Sequence, residues 1–265
     1  MTTVVGGPGL GKTTLLAQAV NENRLAPRGE DVWMGLEKGD AHGDMLARDV
    51  MAALSGEGDR AAGIVPGTPR AAPDPAAVAD ATWRRSPTEL CLVVDDVHWL
   101  APGSPGVTWL TALVHVLPAN GHVLLAGRWS PAVPLARFAT QGAVLKLTED
   151  DLRFSEDELA EFAVLRGIAL ERFGETGGWP AMAELVASVG RDLTGDYLWE
   201  EILGPLGPER RRVLAVLCDL GGADDRLASA ALGAPVDLVR VLDGVPLVAT
   251  GAGGWRVPHP LWNGV

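Results

Sequence analysis

The first residues able to do chemistry stand at positions 6 to 14: Gly6, Gly7, Pro8, Gly9, Leu10, Gly11, Lys12, Thr13 and Thr14, in "VVGGPGLGKTTLL". Gly6-x4-Gly11-Lys12-Thr13 satisfies the phosphate-binding spacing G-x-x-x-x-G-K-[ST] at every fixed position. Glycines let backbone N–H groups approach an anion without Cβ interference. A helix starting near Thr13 would turn its positive end toward the same anion. The Lys12 ammonium would neutralise β- and γ-phosphate oxygens, and the Thr13 hydroxyl would ligate Mg²⁺. Lysine is scarce here (Lys12, Lys38 and Lys146), which makes its position in the loop informative. A glycine-rich turn with no ligand is the plain alternative, and the strand–loop–helix setting weighs against it.

A loop of this kind needs an acid for its metal. "LCLVVDD" supplies Asp95 and Asp96 at the carboxyl end of an apolar run. Asp95 is expected to hold Mg²⁺ through water, and Asp96 to orient or activate the attacking water. The competing readings are a strand ending in a polar turn and a merely solvated Asp96. Arg128 ends "HVLLAGR" and would sense a γ-phosphate from there, unless it is an ordinary surface arginine. Lys12, Asp96 and Arg128 are therefore the catalytic candidates. His98 and Trp99 read as packing and loop residues rather than ligands.

The elements that must hold these residues show in residues 1–148, which alternate strand and helix patterns. "TTVV", "DVWMGL", "ELCLVVDD" and "HVLLAGR" read as buried strands. Thr13–Glu22 reads as a helix with Leu15, Leu16, Ala19 and Val20 on one face, and 43–56 as another with Leu46, Val50, Met51 and Leu54. Residues 56–75, rich in Gly, Pro and Ala, read as a loop or insertion. Ser104 caps a helix with Pro105 in its first turn and Leu110, Leu113, Val114 and Leu117 on its buried face. Such alternation predicts an α/β parallel sheet with helices on both faces. Near Leu147 the pattern turns acidic and helical: Ser155 and Glu158 form a capping box ahead of Leu159, Phe162, Ala163 and Leu165, and a helix restarts at Pro180. From about 197 three helices precede two strand-like pieces around a glycine turn, the layout of a winged helix. The expected division is a nucleotide-binding domain at 1–148, a small helical domain at 149–196 and a winged-helix domain at 197–265.

Composition narrows the class. The chain has 265 residues, 47% hydrophobic, enough for a core; its formal charge of −12 argues against broad nucleic-acid binding through phosphates. Cys91 and Cys218 sit in apolar runs and read as small core residues in a reducing compartment. No stretch is long and apolar enough for a membrane span, and "MTTVV" lacks the features of a secretory leader, so a cytoplasmic location is expected.

Taken together, "GGPGLGKTTLL", "DVWMGLEKGD", "LVVDDVHWL", "VLLAGR", "DLRFSEDELAEF", "TGGWPA" and "VPHPLW" resemble, in order and across nearly the whole chain, the signal-transduction ATPases with numerous domains (STAND proteins), and within them the large LuxR-type bacterial transcriptional regulators. The resemblance implies that Gly178-Trp179-Pro180 lies against adenine, with a turn before a helix as the alternative. It also implies that His259 touches the β-phosphate in an ADP-bound closed form, although its Pro258–Pro260 setting departs from the commoner wording. The winged helix would then be an internal clamp, not a DNA reader; Arg210-Arg211-Arg212 reads as a solvated face. The family's upstream segment, helical-repeat sensor arm and terminal helix-turn-helix domain have no counterpart here, which suggests an engine without input or output.

The resulting expectation is an ATP/ADP switch with Mg²⁺: ADP bound among the three domains holds them closed, exchange for ATP opens the winged helix and promotes self-association, and slow hydrolysis resets the state. Expected partners are nucleotide and other copies of the chain, with neither direct nucleic-acid contact nor membrane. The rivals are an AAA+-like helper ATPase with an arginine finger in trans (Arg137 or Arg153), acting on DNA or protein complexes, and a nonhydrolysing nucleotide-bound adaptor.

Overall fold

The computed structural model describes residues 1–37, 43–54, 74–130, 132–188, 194–243, 245–259 and 262. The described residues pack as two compact units: Met1–Val5 with Lys12–Thr148, and Gly6–Gly11 with Glu149–Val265. The segment 56–75, expected to be a loop, lies almost wholly outside the described residues, as does Pro260 beside His259.

In the first unit the elements run β1 (Thr2–Val5), α1 (Lys12–Leu25), β2 (Gly29–Gly35), α2 (Gly43–Leu54), α3 (Pro75–Trp83), β3 (Glu89–Asp95), α4 (Pro105–Val116), β4 (Gly121–Gly127), α5 (Ala136–Thr140) and β5 (Leu145–Leu147). The five strands form one parallel sheet, ordered β2-β3-β4-β1-β5, with helices on both faces, as the alternating pattern predicts. Val5 pairs with Gly127 and Gly35 with Asp95. The chain therefore enters the glycine loop, the acid pair and Arg128 from the same edge of the sheet, where parallel α/β sheets carry their ligands.

Period-two burial makes that edge rigid. Val32 and Met34 of β2, Leu90, Leu92 and Val94 of β3, and Val123 and Leu125 of β4 share one cluster with Leu46, Val50, Leu54, Val78, Leu110, Leu113 and Val114 from α2, α3 and α4. Each fully buried aliphatic side chain contributes roughly 1.5–3 kcal/mol. Ser104 caps α4 through the Val107 N–H at 3.3 Å.

Two local expectations are corrected and one helix is added to them. Of the expected apolar face of α1, only Leu16 is buried; Leu15 and Ala19 are exposed, so this face is thinner than its spacing suggests. Helix α3 was not foreseen, because its alanines give no clear stripe; Asp74 caps it from the Ala76 N–H at 3.0 Å. Cys91 and Cys218 are half-buried rather than core residues.

The second unit runs α6 (Glu149–Leu152), α7 (Glu156–Arg166), α8 (Pro180–Ser188), α9 (Thr194–Tyr197), a π-helical turn at Leu198–Leu203, α10 (Pro208–Leu220), α11 (Asp225–Leu232), α12 (Leu238–Val241), β6 (Val248–Thr250) and β7 (Arg256–Pro258). The capping box at the start of α7 forms: Ser155 Oγ accepts from the Glu158 N–H while the Glu158 carboxylate accepts from the Ser155 N–H at 2.8 Å. Phe173, Ala163, Ala183 and Val186 make a small core with Phe154, Leu159 and Phe162. Leu165 is 83% exposed, since α7 turns its Leu159–Phe162–Ala163 side inward. Strands β6 and β7 pair antiparallel across the Gly251–Gly254 turn, and Ala223 bridges to Arg256 through both backbone hydrogen bonds.

Candidate functional site

In the first unit the chemistry gathers at the carboxyl ends of β3 and β4 and the amino end of α1. The Thr13 hydroxyl donates to Asp95 Oδ2 at 2.7 Å, although β4 separates β1 from β3 in the sheet. Asp95 is 3% exposed, and its Oδ1 accepts the Asp96 N–H at 2.9 Å. A carboxylate buried this deeply stays in place because both oxygens are hydrogen-bonded. Lys12, the first residue of α1, is 8% exposed, while Thr14 points outward.

Asp96 adopts a left-handed conformation (φ 56°, ψ 35°) and leads into a 3₁₀ turn over Val97–Trp99. Aspartate tolerates that region better than most residues. Burial pushes the Asp96 carboxyl above its ordinary range, the Asp95 charge adds to this, and Lys12 and Arg128 oppose it. His98 shifts the other way, to about 4, through burial first and then the charges of Arg128 and Lys12. At neutral pH its imidazole is uncharged. Asp95, Lys12 and Arg128 thus act electrostatically on Asp96, and Thr13 joins them through its hydrogen bond to Asp95.

In the second unit the glycine loop is seated by its own packing. The Trp179 indole N–H donates to the Pro8 carbonyl at 3.1 Å, and the Ala181 N–H to the Gly9 carbonyl at 3.0 Å. Trp179 is fully buried and meets Tyr197 with ring centroids 5.9 Å apart. Gly9 has φ +73°, and a Cβ there would stand 2.4 Å from the Tyr197 hydroxyl and 2.9 Å from Trp179 Nε1, so both conformation and space require glycine. A Cβ on Gly7 would come within 2.9 Å of Pro246. Leu10, at a position the motif leaves free, is buried.

Gly178 has φ +72°, and its carbonyl accepts the Phe154 N–H at 2.8 Å; Pro180 opens α8, the position where its missing N–H costs least. His259 donates its backbone N–H to the Leu247 carbonyl at 2.8 Å. Burial holds the His259 imidazole below its ordinary range, Arg153 reinforces this, and Glu175 opposes it. Arg153 is ion-paired with Glu149 and donates to the Gly177 carbonyl at 3.0 Å, while Glu149 accepts the Leu247 N–H at 3.2 Å. An arginine engaged this way within its own chain is poorly placed to serve as a finger for a neighbour.

Mg²⁺ suits the donor set. The Thr13 hydroxyl and the Asp95 carboxylate, joined by a 2.7 Å hydrogen bond, are hard oxygen donors: Thr13 would ligate the ion and Asp95 would hold it through water. Magnesium takes one or two protein oxygens and fills the rest with phosphate and water. Among the described residues, no group of three or more His, Cys, Asp or Glu could hold a metal. Sequence reasoning missed Tyr197, Pro246, Glu149 and the hold of Trp179 on the loop. Such roles depend on contacts between residues far apart in the chain, which spacing does not encode.

No protein-family model and no curated protein matches the chain. Among solved structures it is similar to Cdc6p from Pyrobaculum aerophilum, at 15% identity and a TM-score of 0.46 over 98% of this chain and 84% of that one. It is also similar to a single-residue mutant of RuvB from Thermotoga maritima, at 15% identity and 0.46 over 99% and 86%. The ORC1 protein of Aeropyrum pernix, solved in complex with DNA, gives 13% and 0.42 over 96% and 81%. Likeness at this level assigns no function, which rests on the geometry of the chain's own residues.

Proposed function

We propose that the chain binds ATP and ADP with Mg²⁺ as a signal-transduction switch of the STAND type, hydrolysing ATP slowly, as the engine of a transcriptional regulator. The observation that carries this reading is the 2.7 Å bond from the Thr13 hydroxyl to buried Asp95, beside Lys12 at the amino end of α1. In this reading the amides of residues 6–14 cradle the polyphosphate, Lys12 neutralises its β and γ oxygens, and Thr13 and Asp95 hold Mg²⁺. Asp96 orients the attacking water, and Arg128 reports the γ-phosphate. The Gly178-Trp179-Pro180 element lies against adenine while the Trp179 indole holds the Pro8 carbonyl, and His259 answers to the β-phosphate of ADP. Residues 149–196 act as a helical lid domain and 197–265 as a winged helix that clamps rather than reads DNA. Coupling runs through the loop, whose Pro8 and Gly9 carbonyls are held by Trp179 and Ala181 and whose next residues open α1.

The test is titration with ADP·Mg²⁺ and ATP·Mg²⁺, followed by thermal melting and tryptophan emission. At a ligand concentration a hundred times its Kd, one-site binding adds about 2.7 kcal/mol to stability, which appears as a rise of several degrees in Tm. Lys12→Ala is expected to lose that rise while melting normally without nucleotide. A wild-type protein indifferent to both nucleotides defeats the reading. Turnover well above about 1 s⁻¹ would favour the helper-ATPase rival.

A further inference from the structure

His98 lies within the electrostatic reach of Lys12, Asp95 and Arg128, and neither of its ring nitrogens is hydrogen-bonded among the described residues. It is 8% exposed. Leaving a buried polar group unpaired is costly, and a residue serving only as packing would be better replaced by an apolar one. The ring is nonetheless held firmly, 4.8 Å between centroids from Trp99 and 5.3 Å from Trp129 in an edge-on arrangement. Its Nδ1 stands 3.5 Å from Asp96 Oδ1, about half an ångström beyond a good hydrogen bond. Lys12, Arg128 and Asp95 all act on it electrostatically. Two aromatic rings thus hold the imidazole with its Nδ1 beside the carboxylate proposed to handle water.

We propose that His98 is a positioning residue for Asp96: its Nδ1–H locks the Asp96 carboxylate in the orientation that receives the attacking water. The inference rests on the nucleotide-hydrolysing reading above and deepens it. In the step it serves, the water oxygen forms a bond to the γ-phosphorus as the bond to the β–γ bridging oxygen breaks and ADP leaves with that electron pair. Asp96 accepts the hydrogen bond from the water, whose proton ends on the inorganic phosphate. His98 touches neither substrate nor water and acts through Asp96. The 3.5 Å gap closes when a γ-phosphate and its water draw the Asp96 carboxylate inward, an adjustment common at catalytic hydrogen bonds.

The experiment compares His98→Phe, which keeps a ring between Trp99 and Trp129 but removes both nitrogens, with His98→Asn, which restores a short donor. His98→Leu serves as a second apolar variant, and thermal melting verifies that each folds. Steady-state ATP turnover is measured together with binding of a fluorescent ADP analogue. Loss of orientation predicts a fall in kcat of about 10- to 100-fold in His98→Phe, with KM and ADP affinity within about twofold and substantial recovery in His98→Asn. In an Asp96→Asn background His98→Phe should cost nothing further, since the residue it positions is already disabled. Wild-type turnover in His98→Phe, or an equal loss in both backgrounds, overturns the inference and leaves nucleotide binding intact. A wild type that binds nucleotide without turnover also overturns it, whereas a wild type that binds none overturns both readings.

Discussion

Gly9 and His98 make opposite demands on side-chain space. At Gly9 nothing larger than hydrogen fits: φ is +73°, and the Tyr197 hydroxyl and Trp179 indole occupy the space a Cβ would need. Gly9→Ala is expected to destabilise the protein by about 1–3 kcal/mol and weaken nucleotide binding by displacing the loop, measured as a lower Tm and a shallower ADP titration. At His98 the burial is electrostatic in consequence. A histidine held at about 4 binds its proton less readily folded than unfolded, where 6.5 applies. Its stabilisation is therefore full above pH 6.5 and lost as pH falls toward about 4. Melting curves across that window should fall more steeply for wild type than for His98→Phe.

Among the elements, α7 and α8 show how local rules support a distant site. The capping box at Ser155 and Glu158 satisfies exposed N–H groups at the start of α7. Ser155→Ala should cost about 1 kcal/mol without touching nucleotide affinity, as a paired melt and titration would show. Glu158 is held below its ordinary range by its hydrogen bonds to Ser155, so its share is present above the usual glutamate range and lost as pH falls below it. Helix α8 differs, because its entry carries Trp179 and Ala181, whose donors hold the Pro8 and Gly9 carbonyls. Trp179→Phe keeps most of the buried ring and removes one donor. The expected result is a loss of about 1 kcal/mol together with weakened ADP binding, a pairing that a purely structural role of α8 would not give.

At the scale of the whole molecule, the chain's compact units do not follow its linear order: Gly6–Gly11 group with Glu149–Val265, whereas Lys12 onward groups with the sheet. The residues of the Gly6-x4-Gly11-Lys12-Thr13 spacing are therefore divided between the two units. A ligand that orders the motif should stabilise each unit, and hydrogen exchange with and without ADP·Mg²⁺ should show added protection both at β3 and at α8. Protection confined to one of them would mean that the loop does not couple them. Among the described residues, no helix is long and apolar enough to cross a membrane.

Much of this was legible in the residues alone. The loop spacing, the apolar run ending in Asp95 and Asp96, the Ser104 and Ser155 caps and the alternation that makes a parallel sheet are local patterns, and local patterns are written in neighbouring residues. What only tertiary structure decided is pairing across long separations: β4 inserted between β1 and β3, Thr13 bonded to Asp95, Trp179 bonded to Pro8, and a buried imidazole with no hydrogen bond among the described residues. The exposed Leu165 and the thin apolar face of α1 belong with these, because periodicity marks a face but not whether anything covers it. Hydrogen bonds and burial depend on which surfaces meet in the folded chain, and that is settled by packing the whole rather than by reading any one segment.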